Sequence, residues 1–316
     1  MCIYMRKVCF GFDIGGTAVK VGLFDTEGNL LNKWDFQTKK TGDGKDILKD
    51  AANYVLEKMR ELNLSKDEIL GIGVGIPGPV QDNGEVLELA NLGMGHFNIE
   101  ELMSELTGLK VKAGNDANVA ALGEFWMGGG KGYHNMVLVT LGTGVGGGII
   151  LRGTVLAGSK GAAGELGHIH VNEKETVTCG CGKRGCLEQY ASATGIVRLA
   201  KDILNESTEA SSMREYTDLS AKVVYDCAKS EDKLALAVVE KSCYYLGLAL
   251  AHTAQVIDPQ VFVIGGGVSK AGEIITDTTK KYYNMHVMDA LKNKEFKLAT
   301  LGNDAGIYGA AKLILA

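Results

Sequence analysis

Two stretches of this 316-residue chain follow one plan, and the repetition restricts the fold more than any other feature. Residues 8–24 (VCFGFDIGGTAVKVGLF) and 136–151 (MVLVTLGTGVGGGIIL) each read apolar strand, glycine-and-threonine turn, apolar strand. β-rich runs on either side of a short glycine turn predict a hairpin. Two copies in one chain predict two related domains facing each other. At each tip, backbone N–H groups and a threonine hydroxyl would form the kind of concavity that cradles phosphate oxygens. The second turn also holds a G-x-G-x-x-G match at Gly142, Gly144 and Gly147. A dinucleotide-binding unit needs a helix after those glycines, whereas Gly148-Ile149-Ile150-Leu151 reads as strand, so that fold is rejected.

The rest of the chain alternates strand and helix. Apolar residues at Ile47, Leu48, Ala51, Ala52, Val55, Met59 and Leu62 recur with helical period and predict a helix over 46–63. Further strands are expected over 30–36, 69–76, 110–113, 261–264 and 296–299. Helices are expected over 102–106, from Asn115 through Phe125, over 192–203, 220–228 and 234–257, from near Ser269, and from Asn303 onward. Strands separated by helices, headed in each half by a hairpin, indicate two α/β domains. The 43 glycines, about twice the usual ~7% share, cluster at the ends of apolar runs, so backbone must approach something closely at several places.

A net charge of −5, with no long basic run, leaves no electrostatic footprint for nucleic acid or an anionic membrane. The N-terminal MCIYMRKVCFGFD lacks an apolar core of signal-peptide length. The longest apolar stretches, such as 246–257, fall short of the ~20 residues of a membrane span and carry His252 and Gln255. A cytoplasmic location is expected.

Cys179, Cys181 and Cys186 stand in a C-x-C-x4-C spacing interleaved with Gly180, Gly182 and Gly185. The glycines let the backbone fold tightly enough for three thiolates to converge. His168 or His170 would complete a Cys3His zinc site, closed and therefore structural. Free buried thiols or a redox cluster are the alternatives.

Seven motifs occur in order: DIGGT-x-x-K at 13–20, G-x-PGP at 75–79, NDAN at 115–118, LGTGVGGG at 141–148, GELGH at 164–168, CGCGKRGCLE at 179–188 and IGGGVS at 264–269. Together, across nearly the whole chain, they resemble the ROK family of repressors and sugar kinases, most closely its bacterial ATP-dependent glucokinases. The resemblance implies a two-domain, actin-like and hexokinase-type (ribonuclease H-like) α/β fold, with ATP and sugar in the cleft between domains and a homodimer as the assembly. We expect a smaller domain of residues 1–117 plus 301–316 and a larger one of 118–300 carrying the zinc.

Phosphoryl transfer needs mainly positioning, charge neutralisation by Mg2+ and a base near the attacking oxygen. The resemblance implies that Asp116 is that base, whereas its local sequence alone reads as a helix N-cap. It implies sugar contacts from Asn91, Asn115, Glu165, His168 and Glu188, with His168 also on the zinc and His170 outside the ligand set. Gly15, Gly16, Thr17, Thr143 and Gly144 would hold the ATP phosphates, and Gly266 and Gly267 the adenosine. Asp13 would act on Mg2+, with a plain turn residue as its alternative. Lys20 could be only a solvated strand residue. Glucose is the expected acceptor; kinases for N-acetylmannosamine or fructose share the motifs. A sugar-sensing repressor would carry a helix-turn-helix domain ahead of the first turn, and eight residues precede Cys9 here, so a working kinase is expected.

Overall fold

In a computed structural model describing residues 7–38, 46–86 and 95–316, the repeated plan becomes two five-stranded sheets built alike. The chain runs β1 (Val8–Ile14), β2 (Ala18–Asp25), β3 (Leu30–Gln37), α1 (Asp46–Glu61), β4 (Ile69–Ile76), the short pair β5 (Glu85–Val86) and β6 (Phe97–Asn98), α2 (Ile99–Thr107), β7 (Val111–Asn115) and α3 (Asp116–Met127). It continues through β8 (Met136–Leu141), β9 (Val145–Leu151), β10 (Thr154–Val155), α4 (Glu188–Ala191), α5 (Ala193–Glu206), α6 (Ala221–Lys229), α7 (Lys233–Ile257), β11 (Val261–Gly265), α8 (Glu273–His286), β12 (Glu295–Leu298) and α9 (Ala305–Leu315).

The first sheet has the order β3-β2-β1-β4-β7 and the second β10-β9-β8-β11-β12. In each, an antiparallel hairpin is flanked on one side by a further antiparallel strand and on the other by two parallel strands. This is the two-domain, actin-like and hexokinase-type α/β architecture. Parallel strands buried on both faces read as continuous apolar runs rather than alternating ones. Val261–Gly265 is accordingly buried at every position.

Two helices join the lobes. Ile307, Ala311 and Ile314 of α9 are buried with Cys9 and Phe24 of the first sheet. Ala121 and Leu122 of α3 are buried with Met136, Leu138, Ile150, Val261 and Val263 of the second. Where α3 and α9 cross, only hydrogen separates their backbones: a Cβ on Gly309 would stand 1.6 Å from the Val119 carbonyl oxygen, and one on Gly123 would stand 2.2 Å from that of Ala305.

Local chemistry moves several boundaries from those expected. α1 stops at Glu61, because Asn63 takes a left-handed φ of 53°, and Leu62 is left 37% exposed. α2 starts earlier than 102, at Ile99, because the Asn98 side chain accepts from the Glu101 N–H and caps it. The helix expected from near Ser269 comes in two pieces: residues Gly267–Ala271 make one 3-10 turn, which Gly272 ends at φ 83°, and α8 starts at Glu273. α7 is long and apolar enough to cross a bilayer, yet Leu234, Val238, Leu246 and Leu250 along it are buried in the core of the second lobe.

Candidate active site

The ends of the first sheet's parallel strands bring three predicted residues together, as open α/β sheets generally do with ligand sites. Strand register sets Asp13 of β1 beside Gly75 of β4, and Gly75 beside Gly114 of β7, one residue short of Asn115. The strand-to-helix junction then divides the roles of the NDAN motif. Asn115, not Asp116, is the N-cap: its Oδ1 accepts from the Ala117 and Asn118 N–H groups, at 3.0 and 3.1 Å. Its Nδ2 donates to the Gly78 carbonyl and to Asp116 Oδ1 at 3.2 and 3.0 Å. Asp116 is the first helical residue, half-buried, with Oδ1 also accepting from the Ala117 N–H at 2.8 Å. Burial, helped by the negative charges of Asp13 and Glu165, pushes its carboxyl above the ordinary 3.8, against the pull of those hydrogen bonds. Burial also raises Asp13, which Lys20 opposes.

Glu165 comes from the other lobe, on a segment that packs against β9, where glycines leave both faces of the strand open to close approach. A Cβ on Gly147 would stand 2.5 Å from the Gly164 carbonyl oxygen, and one on Gly148 2.5 Å from Ala121 Cβ of α3. The segment before Glu165 and the helix carrying Asp116 therefore clasp opposite sides of one strand.

His168, Cys179, Cys181 and Cys186 present donor atoms that all lie within 4.8 Å of one another. The Cys181–Cys186 sulfurs are 3.6 Å apart, and Cys179 Sγ is 3.8 Å from His168 Nδ1. Tetrahedral zinc with bonds of about 2.3 Å to sulfur and 2.0–2.1 Å to nitrogen requires edges of about 3.5–3.8 Å, so this donor set fits zinc. His170 is turned away, its Nδ1 at 2.9 Å from the Arg184 carbonyl oxygen. Glu188 ties this cluster to the second glycine turn: Oε2 accepts from the Val145 N–H at 3.0 Å, and Oε1 lies 3.8 Å from Cys179 Sγ. The Ala193 N–H and Thr194 hydroxyl hold the carbonyls of Gly142 and Thr143, so the turn is braced by the chain just past the cysteines.

Both turn threonines, Thr17 and Thr143, are exposed at their tips. Gly266, at φ 81°, lies against Leu141, where a Cβ would come within 2.4 Å of the carbonyl oxygen. This sets Gly266 and Gly267 beside the second turn. Cavities open on either side of them. One, of 480 Å³, is lined by Thr143, Ala221, Tyr225, Gly267, Val268 and Lys270 and has the size and apolar walls for an adenosine. The other, of 420 Å³, is lined by Glu124, Thr140, Gly266, Ser269, Thr300 and Asn303. Ala221, Tyr225 and Lys270 carry no motif, so sequence reasoning passed over them. Asn91 lies outside the described residues.

The sequence profile of the ROK family matches residues 9–316. A glucokinase of Halalkalibacterium halodurans is 42% identical over 309 residues, spanning 96% of this chain and 94% of the relative. An N-acetylgalactosamine kinase of a Shewanella species is 30% identical over 311 residues, 96% of each chain. Among solved structures, a ROK family glucokinase from Streptomyces griseus in complex with glucose and AMPPNP is similar at a TM-score of 0.75 and 33% identity, over 97% of this chain and 98% of that one.

Proposed function

The chain belongs to the ROK family, the glucokinase and the N-acetylgalactosamine kinase it is similar to are sugar kinases, and from that premise we propose that it uses ATP to phosphorylate the 6-hydroxyl of glucose. The observation that carries the mechanism is the half-buried Asp116 carboxylate, made more basic by burial and by Asp13 and Glu165. A base is most useful when its affinity for protons rises toward working pH. Asp116 takes the proton from the attacking hydroxyl, while Asn115 holds Asp116 Oδ1 and fixes the angle of the carboxylate. Asn115, Glu165, His168 and Glu188 contact the sugar hydroxyls, with Asn91 as a further contact.

The phosphates of ATP lie between the two turns, on Gly15, Gly16, Thr17, Thr143 and Gly144, and the adenosine lies against Gly266 and Gly267. Mg2+ bound with the nucleotide supplies charge neutralisation, and Asp13 is the residue to hold it, directly or through water. Zinc, held by His168, Cys179, Cys181 and Cys186, supplies rigidity: it fixes the His168 ring for its sugar contact. The smaller domain is residues 1–117 plus 301–316, the larger 118–300, and the assembly is a homodimer.

A panel of ATP with glucose, N-acetylglucosamine, N-acetylgalactosamine, N-acetylmannosamine and fructose, read as kcat/KM with the product identified by phosphorus NMR, tests the reading. The highest value is expected for glucose. A higher value for an N-acetylhexosamine or for fructose would move the substrate, and transfer to none of them would remove the kinase.

A further inference from the structure

The strand lysine Lys20, which the mechanism above leaves unused, has both of its polar contacts inside the protein. Register pairs Lys20 of β2 directly with Asp13 of β1, which puts their side chains on one face of the hairpin. Its Nζ lies 3.5 Å from Asp13 Oδ2 and donates to the Asn303 carbonyl at 2.9 Å. Asn303 belongs to the segment that leads from β12 of one lobe into α9 of the other. That segment is also held by Glu124, whose carboxylate accepts from the Thr300 and Leu301 N–H groups at 3.0 and 2.9 Å. Lys33 pairs with the next residue, Asp304, at 2.5 Å. Asp13 itself rests on α9, where a Cβ on Gly306 would come within 2.6 Å of its Cγ.

A lysine with no duty would keep its rotamer freedom, since holding a long side chain in one geometry costs entropy. Here the ammonium instead bridges a carboxylate at the mouth of the first turn and the backbone of the inter-lobe segment. We propose that Lys20 is a positioning residue: it holds Asp13 at a set angle to α9 and the 300–304 segment, and so sets the binding and use of the metal–nucleotide complex. The proposal rests on the kinase reading above.

The test compares Lys20→Met and Lys20→Arg with the wild-type protein. It uses calorimetric binding of Mg–AMPPNP and of glucose, kcat/KM for Mg–ATP, and thermal unfolding. Loss of a charge-assisted hydrogen bond predicts that Lys20→Met weakens Mg–AMPPNP binding or kcat/KM for Mg–ATP by about 10- to 100-fold, with glucose affinity within about twofold. Lys20→Arg, which keeps a cation and a donor, is expected to recover most of that loss. Nucleotide values within about twofold of wild type in Lys20→Met would overturn the proposal. So would an equal loss of glucose and nucleotide binding with a lowered Tm, which would make Lys20 a scaffold residue. A wild-type protein that transfers no phosphate, but whose Mg–AMPPNP affinity still falls on Lys20→Met, would overturn the kinase reading and leave this one standing.

Discussion

Asp116 works against the stability of its own fold. Its carboxyl is raised above its ordinary value, so the ionised form is less stable here than in the unfolded chain, and stability falls as pH rises through that interval. Asp116→Asn keeps an oxygen for the Ala117 N–H and the Asn115 amide and removes the charge. It should lower turnover by on the order of 10²–10⁴ while leaving Tm equal or higher. A Tm lower by several degrees, or turnover within about tenfold of wild type, would count against the assignment. Glu175 is the opposite case. Its carboxylate accepts from both Nη atoms of Arg198, at 3.3 and 2.7 Å, and from the Tyr190 hydroxyl at 2.5 Å. Although burial pulls the other way, these bonds hold it down at about 2, against an ordinary 4.5. Its contribution is complete above the ordinary value and is lost as pH falls toward the lowered one. Glu175→Gln should cost about 2 kcal/mol near neutrality, and the difference in unfolding free energy from wild type should close as pH drops below 4.5. A gap independent of pH would contradict the ion pair. That His168 gathers with the three cysteines, and Asp13 with Asn115 and Asp116, was legible in the sequence because each motif carries its residues close together in the chain or at a strand end. The division of labour between Asn115 and Asp116 was not, because both types cap helices, and only the backbone angle at the junction decides which one does. The Glu175 clamp carries no motif, since its partners lie 15 and 23 residues away.

Among the elements, the two hairpins were the most legible, because period-two patterning and glycine turns act over short distances. The start of α8 was hidden by Gly272, whose positive φ breaks a stretch that reads as continuous helix. The crossing of α3 and α9 is a tertiary fact that single-sequence periodicity cannot express, though the glycine count hinted at it. Alanine is the better helix former by about 1 kcal/mol, so at an open helical site Gly309→Ala would stabilise. With a carbonyl oxygen 1.6 Å from the new Cβ, the clash should win instead. Gly309→Ala is expected to lower Tm by several degrees and to reduce activity. Gly95→Ala, where nothing among the described residues lies within 4 Å of the Cβ position, should stay within about 0.5 kcal/mol of wild type. An unchanged Tm for Gly309→Ala would mean that the two crossover helices are not packed as described.

On the scale of the whole molecule, the proposed sugar and nucleotide ends are tied together within the second lobe, through Glu188, Ala193 and Thr194. The cysteine cluster, Glu188 and the second turn form one continuous chain of contacts, so treatment with a strong chelator should lower Tm and sugar affinity together. Loss of neither would mean that the thiols serve another purpose. The adenosine-sized cavity draws its walls from segments near 143, 193, 221–226 and 267–271, which no linear pattern joins, so its position could be known only from the fold. The central claim is that both substrates meet at Asp116 in the cleft between the lobes, and a crystal structure with glucose and AMPPNP tests it directly. The account predicts the sugar 6-hydroxyl within hydrogen-bonding reach of the Asp116 carboxylate, about 2.6–3.2 Å, and the γ-phosphate between the Gly15–Thr17 and Thr143–Gly144 turns. A sugar bound away from that carboxylate, or a nucleotide bound outside the two turns, would contradict it.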